Sequence, residues 1–253
     1  MNTTETLTKM KGLRLHGMQR MFEELRATRM ADSLSHEELV AHLIDAEWDE
    51  RYNRKISRLT LGAKFRYRAS IEEVVCSKTR NIEKNSLIAL GRCDWIQKGE
   101  NMLVTGATGT GKSFLACALG HQSCVNGYKV RYHNCMKLFS HLKYAKADGS
   151  YFREMKQLQS QDLVILDDFG IKPFDADSRL MLLELLEDRY GNKSTIISSQ
   201  IPVAVWFDII GDKTIADAVC DRFIHNAIRI ELKGGSMRKV KSNNSGQNLP
   251  PEK

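Results

Sequence analysis

The chain has 253 residues, 42% hydrophobic and 27% charged, a balance typical of a globular protein with one large or two unequal domains. No apolar run reaches the ~20 residues that span a bilayer, and the first residues lack a secretory signal pattern, so we expect a cytoplasmic protein without a membrane partner. The net charge of +7 favours a polyanionic partner, nucleic acid above all, although a basic surface that only aids solubility is the alternative.

The first 70 residues have the pattern of an all-helical domain. Apolar residues from Met18 to Leu25 recur at the i, i+3, i+4, i+7 spacing of one helix face. Ser35 and Glu38 form a capping box, because each side chain can bond the backbone N–H of the other residue. This box predicts a helix that runs towards Leu59.

The second half of that helix begins a basic run. No residue from Arg51 to Arg68 is acidic, and the run contains these cations: Arg51, Arg54, Lys55, Arg58, Lys64, Arg66 and Arg68. Acidic residues precede the run, and that order also suits the helix macrodipole, which explains it without DNA. Because the run continues past the helix, we predict that these cations contact DNA phosphates. The interleaved Phe65 and Tyr67 could stack on or wedge between bases, but core packing is their expected role.

Two more helices are expected before residue 101. Ser70 and Glu73 form a second capping box and predict a short helix. Another helix is predicted from Glu83 to Trp95. Residues 71–100 are therefore expected to form a helical lead-in to the following domain.

From Asn101 the pattern alternates between short β-branched runs and longer helical runs. The predicted strands are 101–105, 129–133, 162–167, 194–199 and 227–232, and the predicted helices lie near 112–125, 135–147, 177–190, 203–210 and 214–224. This alternation predicts right-handed βαβ units and a five-stranded parallel sheet in a domain of residues 71–238. The polar tail, 239–253, is expected to be disordered.

The first of these strands leads into a glycine-rich phosphate-binding motif. The motif and its neighbour are Gly106, Ala107, Thr108, Gly109, Thr110, Gly111, Lys112, Ser113 and Phe114. Glycines let backbone N–H groups approach phosphates closely, and the helix that follows directs its positive end at the anion. Lys112 supplies a cation for the β- and γ-phosphates, and the Ser113 hydroxyl can bind Mg²⁺. Residues 106–114 therefore predict binding of ATP with Mg²⁺.

Two later strands end in polar groups suited to the same chemistry. The strand at 162–167 closes with Asp167 and Asp168, a Walker B pattern in which Asp167 holds Mg²⁺ through water and Asp168 polarises the attacking water. The alternative is a buried strand whose end carries solvated acids. The strand at 194–199 is followed by Gln200, which could orient water beside the γ-phosphate, although polar residues end many strands.

Two arginines near the C-terminal end complete the candidates. Arg222 lies on the predicted helix at 214–224, and Arg238 follows the last strand. A guanidinium can neutralise charge that develops on the γ-phosphoryl group, from the same chain or from a neighbour. The spacing does not decide between these two arrangements.

The order of these motifs resembles that of the AAA+ ATPases, and more narrowly that of the IstB-like ATP-binding proteins of insertion sequences, relatives of the DnaC helicase loaders. The similarity covers about residues 10–240 and is carried by the two Walker motifs, Asp167–Gly170, Ser198–Gln200, Asp221-Arg222, Gly235–Lys239 and the opening Leu13–Met18. It implies a P-loop NTPase with a three-layer α/β/α arrangement, preceded by a small helical domain.

The resemblance also implies roles for single residues. Gln200, with Ser199, would be the sensor 1 position, Arg222 would be the arginine finger acting on a neighbour's ATP, and Arg238 would be the sensor 2 residue of its own subunit. ATP would then lie between subunits, and hydrolysis would require a homo-oligomer. One departure is Asp168, because AAA+ proteins generally carry Glu there. The shorter carboxylate implies a slow Mg²⁺-dependent ATP hydrolase that an oligomer or partner stimulates.

Three functions remain open at this stage. The first is a transposition helper whose ATP-bound subunits assemble on duplex DNA and present it to the transposase of the same element. The second is a DnaC-like replicative helicase loader, whose N-terminal region would bind a helicase. The third, a small-molecule P-loop kinase, would need a substrate pocket and an arginine-rich lid that the sequence does not show.

Overall fold

The computed structural model describes residues 2–237 of the chain. The first part contains only helices and turns, as predicted: α1 (Thr3–Gly12), α2 (His16–Ala27), a 3₁₀ turn (Met30–Asp32) and α3 (His36–Ala63). The predicted capping box is confirmed, because the Ser35 N–H donates to Glu38 Oε2 at 2.8 Å and the Glu38 N–H donates to Ser35 Oγ at 3.2 Å. The helix that it begins extends to Ala63, beyond the predicted end near Leu59.

A buried carboxylate joins α2 to α3. Glu47 of α3 accepts hydrogen bonds from the backbone N–H groups of Gly17 at 2.9 Å and Met18 at 3.3 Å, in the first turn of α2. These N–H groups have no partner within their own helix, so the carboxylate caps α2 from the neighbouring helix. Glycine is required at position 17, because an added Cβ would lie 2.2 Å from the carbonyl oxygen of Ala46.

The chain divides into two compact units, of which the first ends at Arg58 and the second begins at Leu59. The boundary expected from the sequence lies later, at residue 70. Residues 59–69 belong to the second unit because Ala63 and Ala69 are buried in its core and Phe65 packs against that core. The functional division into a DNA- or partner-binding domain (1–70) and an ATPase domain (71–238) remains a prediction.

The second unit is an α/β fold around a parallel sheet. Two short helices, α4 (Lys84–Gly91) and α5 (Asp94–Gln97), precede the sheet. The strands are β1 (Asn101–Gly106), β2 (Val130–Asn134), β3 (Leu163–Phe169), β4 (Ser194–Ser199) and β5 (Ala227–Leu232). The later helices are α6 (Lys112–Val125), α7 (Cys135–Ala147), α8 (Tyr151–Gln159), α9 (Ala176–Arg189), α10 (Trp206–Ile210) and α11 (Lys213–Ile224).

All five strands are parallel and lie in the order β2-β3-β4-β1-β5. The predicted strands are therefore confirmed, with ends that differ by no more than a few residues. Because β1, β3 and β4 are interior neighbours, their carboxyl ends meet at one edge of the sheet. That edge is where ligands bind in open α/β folds.

The core has one apolar layer on each face of the sheet. Side chains alternate along the strands, so that Val164 and Leu166 join one layer whereas Leu163 and Ile165 join the other. The first layer is completed by residues of α7 to α11 and the second by residues of α4 to α6. Each face of the sheet is covered by helices, which confirms the predicted three-layer arrangement. Within residues 2–237, no helix has both the length and the apolar character needed to cross a membrane.

Two local predictions were wrong. Ser70 and Glu73 begin no helix: residues 71–76 form turns, in which the Val74 N–H donates to the Ile71 carbonyl at 3.1 Å. The helix predicted from Glu83 to Trp95 is interrupted at Cys93, whose left-handed φ of 63° separates α4 from α5.

Helix α8 was not predicted. It is amphipathic and buries Met155 and Leu158 against the core, but its many polar residues resemble a loop in the sequence. The predicted polar tail, 239–253, lies outside the described residues.

Candidate nucleotide-binding site

The turn between β1 and α6 forms an anion cradle. Gly106, Gly109 and Gly111 have φ values of 144°, 84° and 95°, which side chains rarely allow. A Cβ at Gly106 would lie 2.3 Å from the Leu232 carbonyl oxygen, and one at Gly109 would lie 2.4 Å from Ser236 Oγ. The backbone N–H groups of this turn can therefore face a phosphate, and the N-terminus of α6 adds the favourable end of its dipole.

Two side chains of the cradle are positioned by their neighbours. Lys112 is buried, and its ammonium group donates to the carbonyl oxygens of Gly106 at 2.8 Å and Ala107 at 2.9 Å. The Thr108 hydroxyl donates to Gln200 Oε1 at 2.5 Å. The residue that follows β4 thus meets the phosphate-binding turn, as its proposed role beside the γ-phosphate requires.

Asp167 is the buried centre of the site. Its side chain is fully buried and accepts hydrogen bonds from Ser113 Oγ at 2.9 Å, from the Tyr132 hydroxyl at 2.5 Å and from Ser198 Oγ. Burial, with the hydrogen bond to Asp167, raises the pKa of Tyr132 well above its usual value, so the phenol keeps its proton and donates. These donors stabilise an ionised carboxylate next to the serine of the cradle.

Asp168 has a different environment at the same strand end. Its φ of 61° is left-handed, and the pairing of β3 with β4 is irregular between Leu166 and Phe169. The bulge turns consecutive carboxylates to different surroundings. Asp168 Oδ2 accepts from Asn134 Nδ2 at 2.9 Å and from the Arg66 guanidinium at 3.1 Å.

These residues surround a cavity of about 330 Å³. Its polar lining includes Gly109, Lys112, Ser113, Asp168 and Gln200. Its apolar lining includes Val74, Val75, Ile82, Leu232 and Met237. A cavity with both kinds of lining has the chemistry to hold a nucleotide by its phosphates and its base.

The turn at 71–80 closes this cavity through Arg80. Its guanidinium donates to the carbonyl oxygen of Thr110 at 2.7 Å and to that of Val75. The Lys233 N–H donates to the Arg80 carbonyl at 3.1 Å, which ties the same segment to the end of β5. Arg80 therefore holds the phosphate-binding turn against the apolar wall, a role that its isolated place in the sequence did not reveal.

The residues predicted to contact DNA divide into three groups. Arg51 and Arg54 form ion pairs with the residues four positions earlier in α3, Glu47 at 2.7 Å and Glu50 at 2.8 Å. The side chains of Lys55, Arg58 and Lys64 are exposed. Arg66 and Arg68, by contrast, line the nucleotide cavity, because Phe65 and Tyr67 pack against the core and direct this segment over α6. The expected packing of those two aromatic residues is confirmed.

Of the two candidate arginines, Arg222 is not among the described residues that line this cavity. Arg222 lies on α11 and pairs with Glu187 of α9, and the bond to that carboxylate raises the pKa of Arg222. Arg238 lies outside the described residues. Ser199 is buried, and its hydroxyl donates to the Phe169 carbonyl oxygen at 3.0 Å, so of the pair at this strand end only Gln200 faces the cavity.

Two residues that contact the aspartates were missed in the sequence. Tyr132 and Asn134 belong to no motif, and Ser198, which also contacts Asp167, was named only as part of the strand-end motif. The register places Asn134 opposite Asp167 on the neighbouring strand. The signal was therefore the strand order, because residues at the carboxyl ends of β2 and β4 must flank β3 once the three strands are neighbours.

The donor set fits ATP and Mg²⁺. A side chain on any of the three glycines would enter or distort the cradle, which is the geometry of a phosphate site. Ser113 and Asp167 offer two oxygen ligands within one hydrogen bond of each other, and oxygen is the ligand that Mg²⁺ prefers. This arrangement is consistent with the comparisons with known proteins.

The family model of the IstB-like ATP-binding proteins matches residues 8–245. The chain belongs to this family. Its relatives include the insertion-sequence ATP-binding protein y4pL of Sinorhizobium fredii, 43% identical over 92% of this chain and 96% of that protein. Another, the ATP-binding protein of insertion sequence IS1162 of Pseudomonas fluorescens, is 39% identical over 80% of this chain and 88% of that protein.

Solved structures with the same fold include the helicase loader DnaC and the replication initiator DnaA. The DnaC helicase loader superposes with a TM-score of 0.55 at 18% identity, over 66% of this chain and 98% of that one. DnaA of Aquifex aeolicus bound to AMPPCP superposes with a TM-score of 0.59 at 17% identity, over 75% of this chain and 58% of that one. At these identities the likeness establishes a P-loop AAA+ fold for this family member and nothing further.

Proposed function

We propose that the protein is an ATPase that assembles on duplex DNA in its ATP-bound state and assists the transposase of an insertion sequence in selecting target DNA. The match to the IstB-like family over residues 8–245 is the observation that carries this proposal. The cradle joined to Asp167 and Asp168 supplies the nucleotide chemistry that such a switch requires.

ATP hydrolysis is assigned to the residues around the polar end of the cavity. Mg²⁺, when bound, neutralises the phosphate oxygens and draws negative charge from the transferred group. Ser113 and Asp167 are the residues that would hold it, and Lys112 would contact the β- and γ-phosphates. Asp168 would orient the attacking water, assisted by Gln200. Because aspartate reaches less far than glutamate, we expect slow turnover, which suits a switch more than a motor.

Oligomer formation completes the proposed site. Arg222 lies away from the cavity of its own chain and on a helix of the ATPase unit, where a neighbouring subunit could meet it. We assign it to the ATP of that neighbour and Arg238 to the ATP of its own subunit, as the resemblance implies. Hydrolysis would then depend on assembly, and assembly on bound ATP.

The DNA contacts are assigned to the exposed cations at the end of α3 and just after it. Lys55 and Arg58 form no ion pair within residues 2–237, so they are the candidates best able to bind phosphates. Phosphate contacts of this kind are tolerant of sequence and weaken as salt displaces the protein from the DNA. Arg51 and Arg54 would add to this surface, and Lys64 of the second unit is a separate candidate.

Salt dependence of duplex binding tests this assignment. Fluorescence anisotropy would give the affinity for random-sequence duplex, with ATP, across a salt series for the wild type and for Lys55→Gln/Arg58→Gln. The plot of log affinity against log salt has a negative slope, and loss of two phosphate contacts should reduce its magnitude by roughly two. The control, Arg153→Gln/Lys156→Gln on α8, removes the same charge and should keep the slope.

Three results would count against the proposal. If Lys55→Gln/Arg58→Gln leaves the slope of log affinity against log salt unchanged, the assignment of DNA contacts to α3 is wrong. Absence of ATP-dependent duplex binding by the wild type would reject the DNA-assembly function itself. Binding to a replicative helicase in that second case would favour the helicase-loader function.

A further inference from the structure

We propose that Arg66 restrains hydrolysis by occupying Asp168, and that this contact is released when duplex DNA binds the protein. The inference rests on the ATPase function proposed above and adds a regulatory contact to it. Arg66 belongs to the connecting segment 64–68, which directly follows α3.

The connecting segment is attached to the phosphate-binding helix on both sides of Arg66. Phe65 packs so closely on Gly120 of α6 that an added Cβ there would lie 2.7 Å from its ring. The Tyr67 ring lies 6.4 Å from that of Phe114, also in α6. Between these anchors, the Arg66 guanidinium lies 5.4 Å from the Tyr67 ring centroid and points to the strand end of β3. These contacts hold Arg66 in a defined position, which distinguishes it from the exposed cations of the same run.

The target of Arg66 is the carboxylate assigned to the attacking water. Its guanidinium donates to Asp168 Oδ2 at 3.1 Å and lies 3.6 Å from Asp167 Oδ2. Asn134 donates to the same oxygen of Asp168 at 2.9 Å. Two donors therefore occupy Oδ2, so a water molecule that uses this oxygen as its acceptor must displace at least one of them.

The position of Arg66 in the chain allows DNA binding to affect its contact with Asp168. Lys64 has a left-handed φ of 55°, so the backbone turns directly after α3 ends at Ala63. The Arg131 guanidinium donates to the Gly62 carbonyl at 2.7 Å and holds that turn against β2. Lys64, one of the proposed DNA-binding cations, lies in this turn two positions before Arg66, so a DNA contact to Lys64 would act on the segment that carries Arg66.

The test is ATP turnover of Arg66→Gln against the wild type, Arg66→Lys and the exposed control Arg153→Gln. Steady-state kcat and KM for ATP would be measured with and without duplex DNA, with Lys112→Ala as the background. Without DNA, we expect kcat of Arg66→Gln to rise on the order of ten-fold while KM stays nearly unchanged. This is the rate change expected when one exposed charge-assisted hydrogen bond is removed. DNA should then stimulate Arg66→Gln less than it stimulates the wild type. Arg66→Lys keeps the donor and should remain slow.

Each outcome decides the proposal. Faster turnover of Arg66→Gln supports it, including the case in which the wild type remains at background. A lower kcat with unchanged KM would make Arg66 a catalytic group, and an unchanged kcat would make it structural; both overturn the restraint while leaving the ATPase function intact. If the wild type and Arg66→Gln both remain at the Lys112→Ala background, the ATPase function fails together with the inference.

Discussion

The Ser113 hydroxyl donates a 2.9 Å hydrogen bond to Asp167 Oδ1 and so joins two motifs that lie 54 positions apart in the chain. This bond connects the first turn of α6 to the end of β3. It places the two proposed oxygen ligands of Mg²⁺ beside the cradle before any ligand enters. Preorganisation of this kind lowers the cost of assembling the site on binding.

Substitution Asp167→Asn should remove metal-dependent turnover while weakening the fold. The amide keeps the shape but lacks the charge that the three hydroxyl donors of Ser113, Tyr132 and Ser198 stabilise. We expect hydrolysis to fall by about two orders of magnitude and the free energy of unfolding to fall by about 1–3 kcal/mol. Phosphate release and urea unfolding would measure the two effects.

The control for this variant is Asp208→Asn, at an exposed position of α10. It makes the same chemical change away from the cavity, so turnover and stability should both stay near those of the wild type. Equal hydrolysis by Asp167→Asn and the wild type would contradict the assignment of Asp167 to Mg²⁺.

Two glycines separate the cost of backbone conformation from the cost of blocking the cradle. Gly109 and Gly149 have similar left-handed φ values of 84° and 79°. An added Cβ at Gly109 would lie 2.4 Å from Ser236 Oγ, whereas one at Gly149 meets no heavy atom of residues 2–237 within 4 Å. Each alanine variant should lose about 1 kcal/mol of stability.

Only Gly109→Ala should also lose ATP binding. Thermal melting with and without Mg-ATP tests this difference. The nucleotide should raise the melting temperature of Gly149→Ala as it does that of the wild type. A comparable rise for Gly109→Ala would show that the phosphates do not approach this turn.

The main sheet and the nucleotide motifs were predictable from the sequence because their signals are local. The glycines of the cradle directly follow strand β1 in the chain, and the two carboxylates at the end of β3 are consecutive residues. The strand order is not local, and it determines that Tyr132 and Asn134 contact the carboxylates of β3. No short sequence window contains that information.

Burial of His133 should make stability depend on pH below neutrality. Burial, and after it the charges of Arg131, His141 and Lys64, lower the pKa of His133 to about 4, although Glu154 opposes them. The imidazole is neutral when folded, whereas the unfolded chain takes up a proton near pH 6.5. Its contribution is therefore complete above about pH 6.5 and is lost as the pH falls towards about 4.

The size of that loss is about 1–3 kcal/mol of unfolding free energy. Urea unfolding from about pH 8 down to pH 5 would measure it in the wild type and in His133→Phe, which keeps a ring but cannot titrate. The part of the pH dependence of the unfolding free energy that His133 causes should disappear in the variant. Identical pH profiles would mean that His133 is solvated in the folded state.

A mixing experiment determines whether Arg222 acts on a neighbouring subunit. Arg222→Ala should bind ATP without hydrolysing it, and Asp168→Asn, which lacks the carboxylate assigned to the attacking water, should do the same. In an equal mixture, roughly a quarter of the sites combine an intact Asp168 with an intact arginine, so hydrolysis should partly return. A mixture that remains inactive would contradict action between subunits.

The matched control for Arg222 is Glu187→Gln. It breaks the ion pair between α9 and α11 but keeps the arginine. Its hydrolysis rate should therefore remain near that of the wild type. Loss of activity in this control would mean that the ion pair itself, and not transfer of the arginine to a neighbour, supports turnover.

The role of Arg66 shows where charge patterns in a sequence mislead. Arg66 shares its run with exposed cations such as Arg58, and composition alone treats them as equivalent. Packing of Phe65 and Tyr67 against the core distinguishes them, because it turns Arg66 towards Asp168. The direction of a side chain depends on the packing of its neighbours in the fold, which a count of charges does not contain.

Sedimentation velocity with ATP and random-sequence duplex DNA tests the central claim most directly. The wild type should form large assemblies only when ATP and duplex are both present, and ADP should not replace ATP. Lys112→Ala, whose cradle lacks its cation, should remain small under the same conditions. If duplex DNA assembles Lys112→Ala as well as the wild type, or assembles neither, the account of an ATP-controlled DNA assembly is contradicted.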